Sequence, residues 1–279
     1  MAKKMKKAFT ITELLVAVGL LAVVLAACGI IFNYSIDSHR TAGATAEIMR
    51  NLRVITDQLN ADFAGLRKDA PLVIEFSTQN RVSADSVVFF STGDFQTSSD
   101  NTVRGNVARI YYGQATVPTP TSILDMDRRN KILARKQVIL APDANTSVTG
   151  YECEARSLTQ EVKEYIVSPD SVSGGSATGG WLGRPNIDPN NGSGISMYLA
   201  KGVDNFSITL CGSGFDVTDN NDSINWLPLQ PSAAKEYFGF YPYYGRLFPD
   251  AIKFTFTLYD SKGIIKTGRR FEHIVYIGK

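Results

Sequence analysis

A single carboxylate inside a long apolar segment near the N-terminus is the feature that most constrains this chain. The apolar run extends from Phe9 to Phe32, and about 20 such residues are enough for a helix to cross a bilayer. Glu13 is the fifth residue of that run. An acidic residue at the centre of an inserted helix costs about 2.5–3.5 kcal/mol. An acid kept at that depth needs a partner, so we expect Glu13 to be functional.

The charges on either side of the apolar segment predict its orientation. Basic residues next to a membrane helix favour the cytoplasmic side. We therefore expect residues 1–8 in the cytoplasm and the chain beyond Tyr34 on the other side of the membrane. The lysines before the segment are Lys3, Lys4, Lys6 and Lys7, and the mixed charges after it are Asp37, His39 and Arg40.

Helical periodicity continues beyond the apolar segment, because apolar residues recur at steps of three or four. We predict one helix from Phe9 to about Leu66, on the order of 85 Å long at 1.5 Å per residue. Residues 9–33 would span the membrane, and residues 34–67 would pack an apolar stripe on a sheet, with Pro71 closing the connection. The stripe consists of Ile48, Leu52, Ile55, Leu59, Phe63 and Leu66.

Residues 68–279 have the pattern of a β-rich domain. Short β-branched and aromatic runs are bounded by turn residues, which is the signature of strands. Asp260-Ser261-Lys262-Gly263 is predicted as a hairpin turn. The fold class is therefore α+β, with a long N-terminal helix packed on antiparallel sheets. The predicted strands are Pro71–Ser77, Ser86–Ser91, Val107–Tyr112, Lys136–Leu140, Glu161–Val167, Gly202–Leu210, Ala251–Tyr259, Ile264–Thr267 and Arg270–Ile277.

Composition and motifs give little support to catalysis or to nucleic-acid binding. The net charge is +2 over 279 residues, so no broad basic field is present. The two histidines, His39 and His273, are far apart in the chain. The sequence has neither a nucleophile-elbow serine nor a phosphate-binding glycine loop before a helix. We predict a protein that is not an enzyme.

An acidic loop and two cysteines are further candidate sites. Asp216, Asp219 and Asp222 offer hard oxygen ligands of the kind that calcium prefers, although the spacing does not fit an EF-hand and a solvated loop is the alternative. No other cofactor is implied. Cys153 and Cys211 either pair in an oxidising compartment or are small buried apolar residues.

The residues Lys6-Lys7-Ala8-Phe9-Thr10-Ile11-Thr12-Glu13 resemble the N-terminus of type IV prepilins and of the pseudopilins of type II secretion. The resemblance implies that a prepilin peptidase removes residues 1–8 by cleavage between Ala8 and Phe9, and that the new amine of Phe9 is N-methylated. It also implies that Glu13 meets the N-terminal amine of a neighbouring subunit during assembly. Ala8 departs from the usual glycine before the cleavage point, but it is also small.

Beyond the leader, the order of segments resembles the J-type minor pseudopilins and, next, the W-type minor pilins. The resemblance implies a pilin-like αβ-roll. The chain is longer than a typical J-type protein. The four stretches that carry the resemblance are Leu52–Asp62 at the end of the helix, Ala108–Tyr112, Leu199–Phe206 and Leu247–Phe254.

Three other interpretations of the N-terminus remain: a secretory signal, a plain signal anchor and a lipoprotein. Leu25-Ala26-Ala27-Cys28 resembles a lipoprotein box with Cys28 as the lipidated residue. A lipidated cysteine is usually followed by a flexible polar tether. Here the apolar segment runs on through Phe32 and the helical stripe follows, which favours the continuous helix.

The resemblance implies a minor pseudopilin subunit at or near the tip of a pseudopilus, anchored in the inner membrane by one helix with its C-terminal domain in the periplasm. The alternative is a type IV minor pilin of an adhesion or DNA-uptake pilus. The implied partners are other major and minor pseudopilins or pilins, the prepilin peptidase, the inner-membrane assembly platform and the lipid bilayer.

Overall fold

The computed structural model describes residues 10–79, 82–96, 104–117, 126–141, 148–149, 153–157, 184–188, 190, 192, 194–212, 235–240 and 248–277. The first element is a single α-helix of 54 residues, α1 (Ile11–Ala64), about 81 Å long at 1.5 Å per residue. The predicted continuous helix is therefore confirmed, to within two residues at each end. Among the described residues, α1 is the one helix that is long and apolar enough to cross a membrane.

The two halves of α1 have different surroundings. No described residue from 10 to 43 is buried. From Ala44 onward one stripe is buried, and Ile48, Ile55 and Leu59 have no exposed surface. Leu52 and Leu66 pack against the same core and are partly buried. The predicted amphipathic half of the helix is confirmed, with its stripe facing the sheets.

Twelve strands follow α1 among the described residues, in two sheets. In the larger sheet the order is β10-β1-β3-β4-β5-β7-β6, with β2 beside β1 and β8 beside β5. In the smaller sheet the order is β12-β11-β9. All pairs are antiparallel except β5–β7. The strands are β1 (Leu72–Gln79), β2 (Val82–Ser83), β3 (Ser86–Gln96), β4 (Arg104–Gln114), β5 (Ile132–Ala141), β6 (Val148–Thr149), β7 (Cys153–Ser157), β8 (Tyr198–Lys201), β9 (Val203–Cys211), β10 (Lys235–Phe240), β11 (Ala251–Leu258) and β12 (Arg269–Tyr276).

The core lies between the two sheets and the outer half of α1. Phe63 of the helix stacks on Phe89 of β3, with ring centroids 4.1 Å apart. Phe63 also meets Phe254 of β11, with ring centroids 5.7 Å apart. One helical side chain therefore contacts both sheets, which is why the predicted α+β packing forms a single core.

One predicted strand, Ile264–Thr267, is wrong. The carboxylate of Asp260, which is buried, accepts hydrogen bonds from the backbone N–H groups of Ile264 at 2.8 Å and Ile265 at 2.9 Å. Those N–H groups are thereby directed to the side chain and not to a neighbouring strand. The segment from Tyr259 to Gly268 is a loop that leads into β12. The predicted strand Glu161–Val167 lies outside the described residues.

Gly202 lies where three strands meet at one end of the domain. Its φ is +76°, and a Cβ added there would lie 2.4 Å from the carbonyl oxygen of Tyr259. Both facts require glycine. The N–H of Gly202 donates to the carbonyl of Lys131 at 2.8 Å, and its carbonyl accepts from the N–H of Tyr259 at 2.9 Å. We call this end, where α1 enters the domain, the proximal end, and the opposite end the distal end.

Candidate functional site: the N-terminal helix and its seat on the sheets

Glu13 lies in the first turn of α1 and completes a capping box with Thr10. The N–H of Glu13 donates to the Thr10 hydroxyl at 3.3 Å, while the N–H of Thr10 donates to Oε2 of Glu13 at 3.0 Å. Such reciprocal bonds satisfy donors that the first turn leaves unpaired. The Thr10 hydroxyl also bonds to Oε2, at 3.0 Å. Within the described residues, Oε1 of Glu13 has no hydrogen-bond donor.

The surroundings of Glu13 are apolar and open. Thr12, Glu13, Val16, Ala17 and Leu20 line a shallow depression on the helix. Nothing else in the described chain covers this half of the helix. The carboxylate is therefore available to another chain. Ala8 and Phe9, the predicted cleavage and methylation residues, lie outside the described residues, so those two assignments stay predictions.

The outer half of the helix is clamped to the domain at the proximal end. Both carboxylate oxygens of Glu47 accept hydrogen bonds from Ser261, one from its N–H and one from its hydroxyl, each at 3.1 Å. The guanidinium of Arg269 donates to the Thr45 hydroxyl at 3.2 Å. These contacts attach α1 to the loop that Asp260 organises, directly after the helix enters the domain.

A second attachment lies near the distal end, around the buried carboxylate of Asp62. Arg135 donates to it through Nε at 2.6 Å and Nη2 at 2.8 Å. Gln58 donates to it at 3.1 Å, and the hydroxyl of Tyr112 also donates to it. Burial raises the pKa of Tyr112 well above its ordinary value, and the charge of Asp62 raises it further. The phenol therefore stays protonated and acts as a donor.

The end of the helix approaches β3 closely. Gly65 ends α1 with φ −94°, and a Cβ added there would lie 2.2 Å from the carbonyl oxygen of Thr92. The N–H of Thr92 donates to the carbonyl of Gly65 at 2.7 Å. The absence of a side chain thus lets the helix end hydrogen-bond directly to the sheet.

Asp85 joins the two sheets to each other. Its carboxylate accepts from the N–H of Ser77 in β1 at 3.0 Å and from the N–H of Ile208 in β9 at 2.9 Å. Burial raises the pKa of Asp85 to about 6, against the opposing effect of those backbone donors. Arg184 donates to the carbonyl of Ala84 at 2.9 Å. Its positive charge lowers the pKa of Asp85 slightly.

Sequence reasoning located part of this site. Glu13 and the helical stripe were predicted, and Asp62 fell in the helix-end pattern. The partners of Asp62, Arg135 and Tyr112, were missed. One signal was available: Arg135, Lys136 and Gln137 interrupt the apolar residues of β5, and a charge in a buried strand needs a partner.

The structure describes the candidate calcium residues and the two cysteines to different extents. Asp216, Asp219 and Asp222 lie outside the described residues, so calcium binding stays a prediction. Cys211 is a free thiol at the end of β9, and Cys153 belongs to β7 of the larger sheet. Of the two alternatives for these cysteines, the structure shows Cys211 unpaired, while the side chain of Cys153 lies outside the described part of the chain. Burial raises the pKa of the Cys211 thiol.

The N-terminal part of the chain is similar to a known protein family. Residues 3–29 match the family described as the prokaryotic N-terminal methylation motif. Comparison with curated proteins and with solved structures gave no match. Over these residues, which are less than half of the chain, the motif indicates a type IV pilin-like N-terminus. Together with the bare apolar half of α1, it indicates a protein anchored in a membrane by one N-terminal helix.

Proposed function

We propose that the protein is a minor pseudopilin of a type II secretion system, of the J-type, that assembles through the inner half of α1 at or near the tip of the pseudopilus. The observation that carries the proposal is the position of Glu13. Its carboxylate lies in the first turn of an apolar helix, within the matched motif, and has one oxygen without a partner among the described residues. An unpaired charge in an apolar bundle is unfavourable, so pairing with a neighbour's amine would favour one register over others.

The division of α1 supports assembly through the helix. No residue of its inner half, up to Gly43, is buried in the described domain, so the apolar surface is free to exchange lipid for neighbouring helices. Its outer half is occupied by the domain. The size of that domain supports a low-copy position, because a large head crowds a repeating filament. The partners would be sister pseudopilins, the prepilin peptidase and the inner-membrane assembly platform, with the domain in the periplasm.

The test is the variant Glu13→Val in the full chain, expressed with its sister subunits. We expect unchanged membrane insertion, because valine is compatible with the bilayer, and loss of co-purification of the sister subunits. Co-purification at the wild-type level would contradict the proposal.

Cys28→Ala is the matched control, because it changes a second residue of the same apolar half without removing a charge. We expect Cys28→Ala to keep both insertion and co-purification. A lipoprotein lipidated at Cys28 would instead lose its anchor in that variant. If the partners recovered are pilins of an adhesion or DNA-uptake machine, the alternative of a type IV minor pilin is the correct one.

A further inference from the structure

The proximal end of the domain carries more positive than negative charge on its accessible surface. Its accessible acidic residues, among those that the structure describes, are three: Glu47, which accepts hydrogen bonds from Ser261, Asp127, which pairs with Arg129 at 2.6 Å, and Asp188, which accepts from the N–H of Asn190 at 2.9 Å. Asp204 and Asp260 are buried, the former beside Lys131 at 2.6 Å. The accessible basic residues of this end, within the described chain, are Arg128, Arg129, Lys201, Lys262, Lys266 and Arg269.

Most of these basic side chains have no carboxylate partner of their own. The side chain of Arg128 is 64% exposed, and its guanidinium forms an ion pair with the carboxylate of Asp204 at 3.5 Å. Arg269 donates to the Thr45 hydroxyl. Lys262 and Lys266 are exposed on the loop between β11 and β12. Four of the six cations, Lys201, Lys262, Lys266 and Arg269, therefore have no ion-pair partner among the described residues, whereas Arg128 and Arg129 each have one.

The same end lies nearest to the membrane. Thr45, which contacts Arg269, is 13 residues beyond Phe32, or about 20 Å along the helix at 1.5 Å per residue. The polar headgroup layer takes up about 5–7 Å of that distance on each side of the bilayer. The long side chains of lysine and arginine span part of the remaining distance between the headgroups and the domain. Attraction to a charged surface acts over a Debye length of about 8 Å at physiological ionic strength.

We propose that the proximal end, formed by Arg128, Arg129, Lys201, Lys262, Lys266 and Arg269, docks on the anionic phospholipid headgroups of the membrane that holds the chain's own helix. Charge complementarity and the direction in which α1 leaves the domain both select this partner. Juxtamembrane basic clusters are attracted to anionic lipid in this way. Docking holds the domain against the bilayer until the subunit is withdrawn.

The proposal rests on membrane anchoring through α1 and not on assembly into a filament. The segment of α1 between the membrane and the domain contains a glycine with free space around it. Gly43 lies just before the first buried residue, Ala44, and no atom lies within 4 Å of where its Cβ would be. Glycine weakens a helix by about 0.8–1.0 kcal/mol relative to alanine. A bend of α1 at Gly43 would therefore meet no described side chain and would bring the domain toward the headgroups.

The test measures energy transfer from the domain to the membrane surface. The full chain, with a fluorescent amino acid at Thr267, is placed in nanodiscs that contain a headgroup-labelled acceptor lipid. The discs consist of phosphatidylcholine alone or with phosphatidylglycerol. We expect higher transfer efficiency in the anionic discs, and loss of that rise in 1 M NaCl, where the Debye length is about 3 Å.

Paired charge reversals provide the control. Lys262→Glu with Lys266→Glu should abolish the lipid-dependent rise. Lys68→Glu with Arg104→Glu changes the net charge equally, after the end of the helix and on β4 at the distal end, and should keep it. Equal transfer efficiency in both kinds of disc would overturn the proposal. So would an equal loss of the lipid-dependent rise in both double variants. Glu13→Val should leave the rise unchanged, so this test is independent of the assembly proposal.

Discussion

Arg135 of β5 donates two hydrogen bonds to the carboxylate of Asp62 on α1, at 2.6 and 2.8 Å. The Asp62 side chain is 5% exposed and that of Arg135 is 20% exposed. The pair joins the last turns of the membrane helix to the larger sheet. Burial opposes the charge on Arg135, but the hydrogen bonds and the charge of Asp62 raise its pKa, so Arg135 stays protonated.

We predict that Arg135→Met destabilises the domain strongly. Removing one partner of a buried ion pair leaves an uncompensated charge, which costs about 3–5 kcal/mol. The double variant Asp62→Leu with Arg135→Met should be more stable than Arg135→Met alone, because it leaves no buried charge unpaired. The measurement is urea unfolding of the full chain in detergent, followed by near-ultraviolet circular dichroism.

Arg67→Met is the control for this prediction. Arg67 and Asp69 form an ion pair with side chains 37% and 65% exposed, and exposed pairs contribute about 0–1 kcal/mol. An Arg135→Met variant as stable as Arg67→Met would show that the pair does not hold the helix.

The carboxyl group of Asp85 predicts a pH dependence. Its pKa is about 6 in the folded protein, against 3.8 ordinarily, so between those values the folded state holds a proton that the unfolded state has released. The free energy of unfolding should therefore fall as pH rises from about 4 to about 6, by about 3 kcal/mol at 1.36 kcal/mol per pKa unit. Urea unfolding at a series of pH values measures this fall in the free energy of unfolding.

The control for the pH prediction is a pair of asparagine variants. Asp85→Asn should remove this component of the pH dependence, because an amide does not titrate in this range. Asp94→Asn, at an exposed position on β3, should keep it. The same pH profile in wild type and Asp85→Asn would assign the dependence to other groups.

Two glycines of the same helix should respond in opposite directions to alanine. Gly65→Ala would place a Cβ 2.2 Å from the carbonyl oxygen of Thr92, and overpacking of this kind costs about 1–3 kcal/mol. Gly43→Ala meets nothing within 4 Å and should strengthen the helix by about 0.8–1.0 kcal/mol. Unfolding of both variants under identical conditions gives the comparison. Equal stability of the two would contradict the close approach.

The N-terminus of the mature protein should be N-methylated Phe9. Mass spectrometry of the N-terminal peptide from membranes checks this. Co-expression without the prepilin peptidase is the control, because the chain should then keep residues 1–8. A lipidated Cys28 at the N-terminus would contradict the prediction and favour the lipoprotein.

The helix and most strands could be predicted because their signals are local. The apolar segment, the stripe from Ile48 to Leu66 and the alternation in β11 each depend on residues within a few positions of one another. The loop before β12 was mistaken for a strand because Ile264-Ile265 suggests one, whereas the Asp260 carboxylate takes up their N–H groups.

The contacts that fix the site could not be predicted, because they join distant parts of the chain. Asp62 and Arg135 are 73 residues apart, and Glu47 and Ser261 are 214 apart. A polar residue in an apolar pattern shows that a partner is needed, but not which residue it is. Glu13 differs in that its inferred partner would lie on another chain.

The uninterrupted course of α1 has a mechanical consequence. The Glu47 clamp and the Asp62 pair grip the helix about 22 Å apart at 1.5 Å per residue, so the domain cannot slide along it. A pull on the domain is therefore transmitted axially to the membrane end, and each ångström that the domain rises withdraws about one ångström of apolar helix from the lipid. The helix then carries tension from the domain to the membrane, and the two attachments, with the apolar stripe between them, resist sliding of the domain along it.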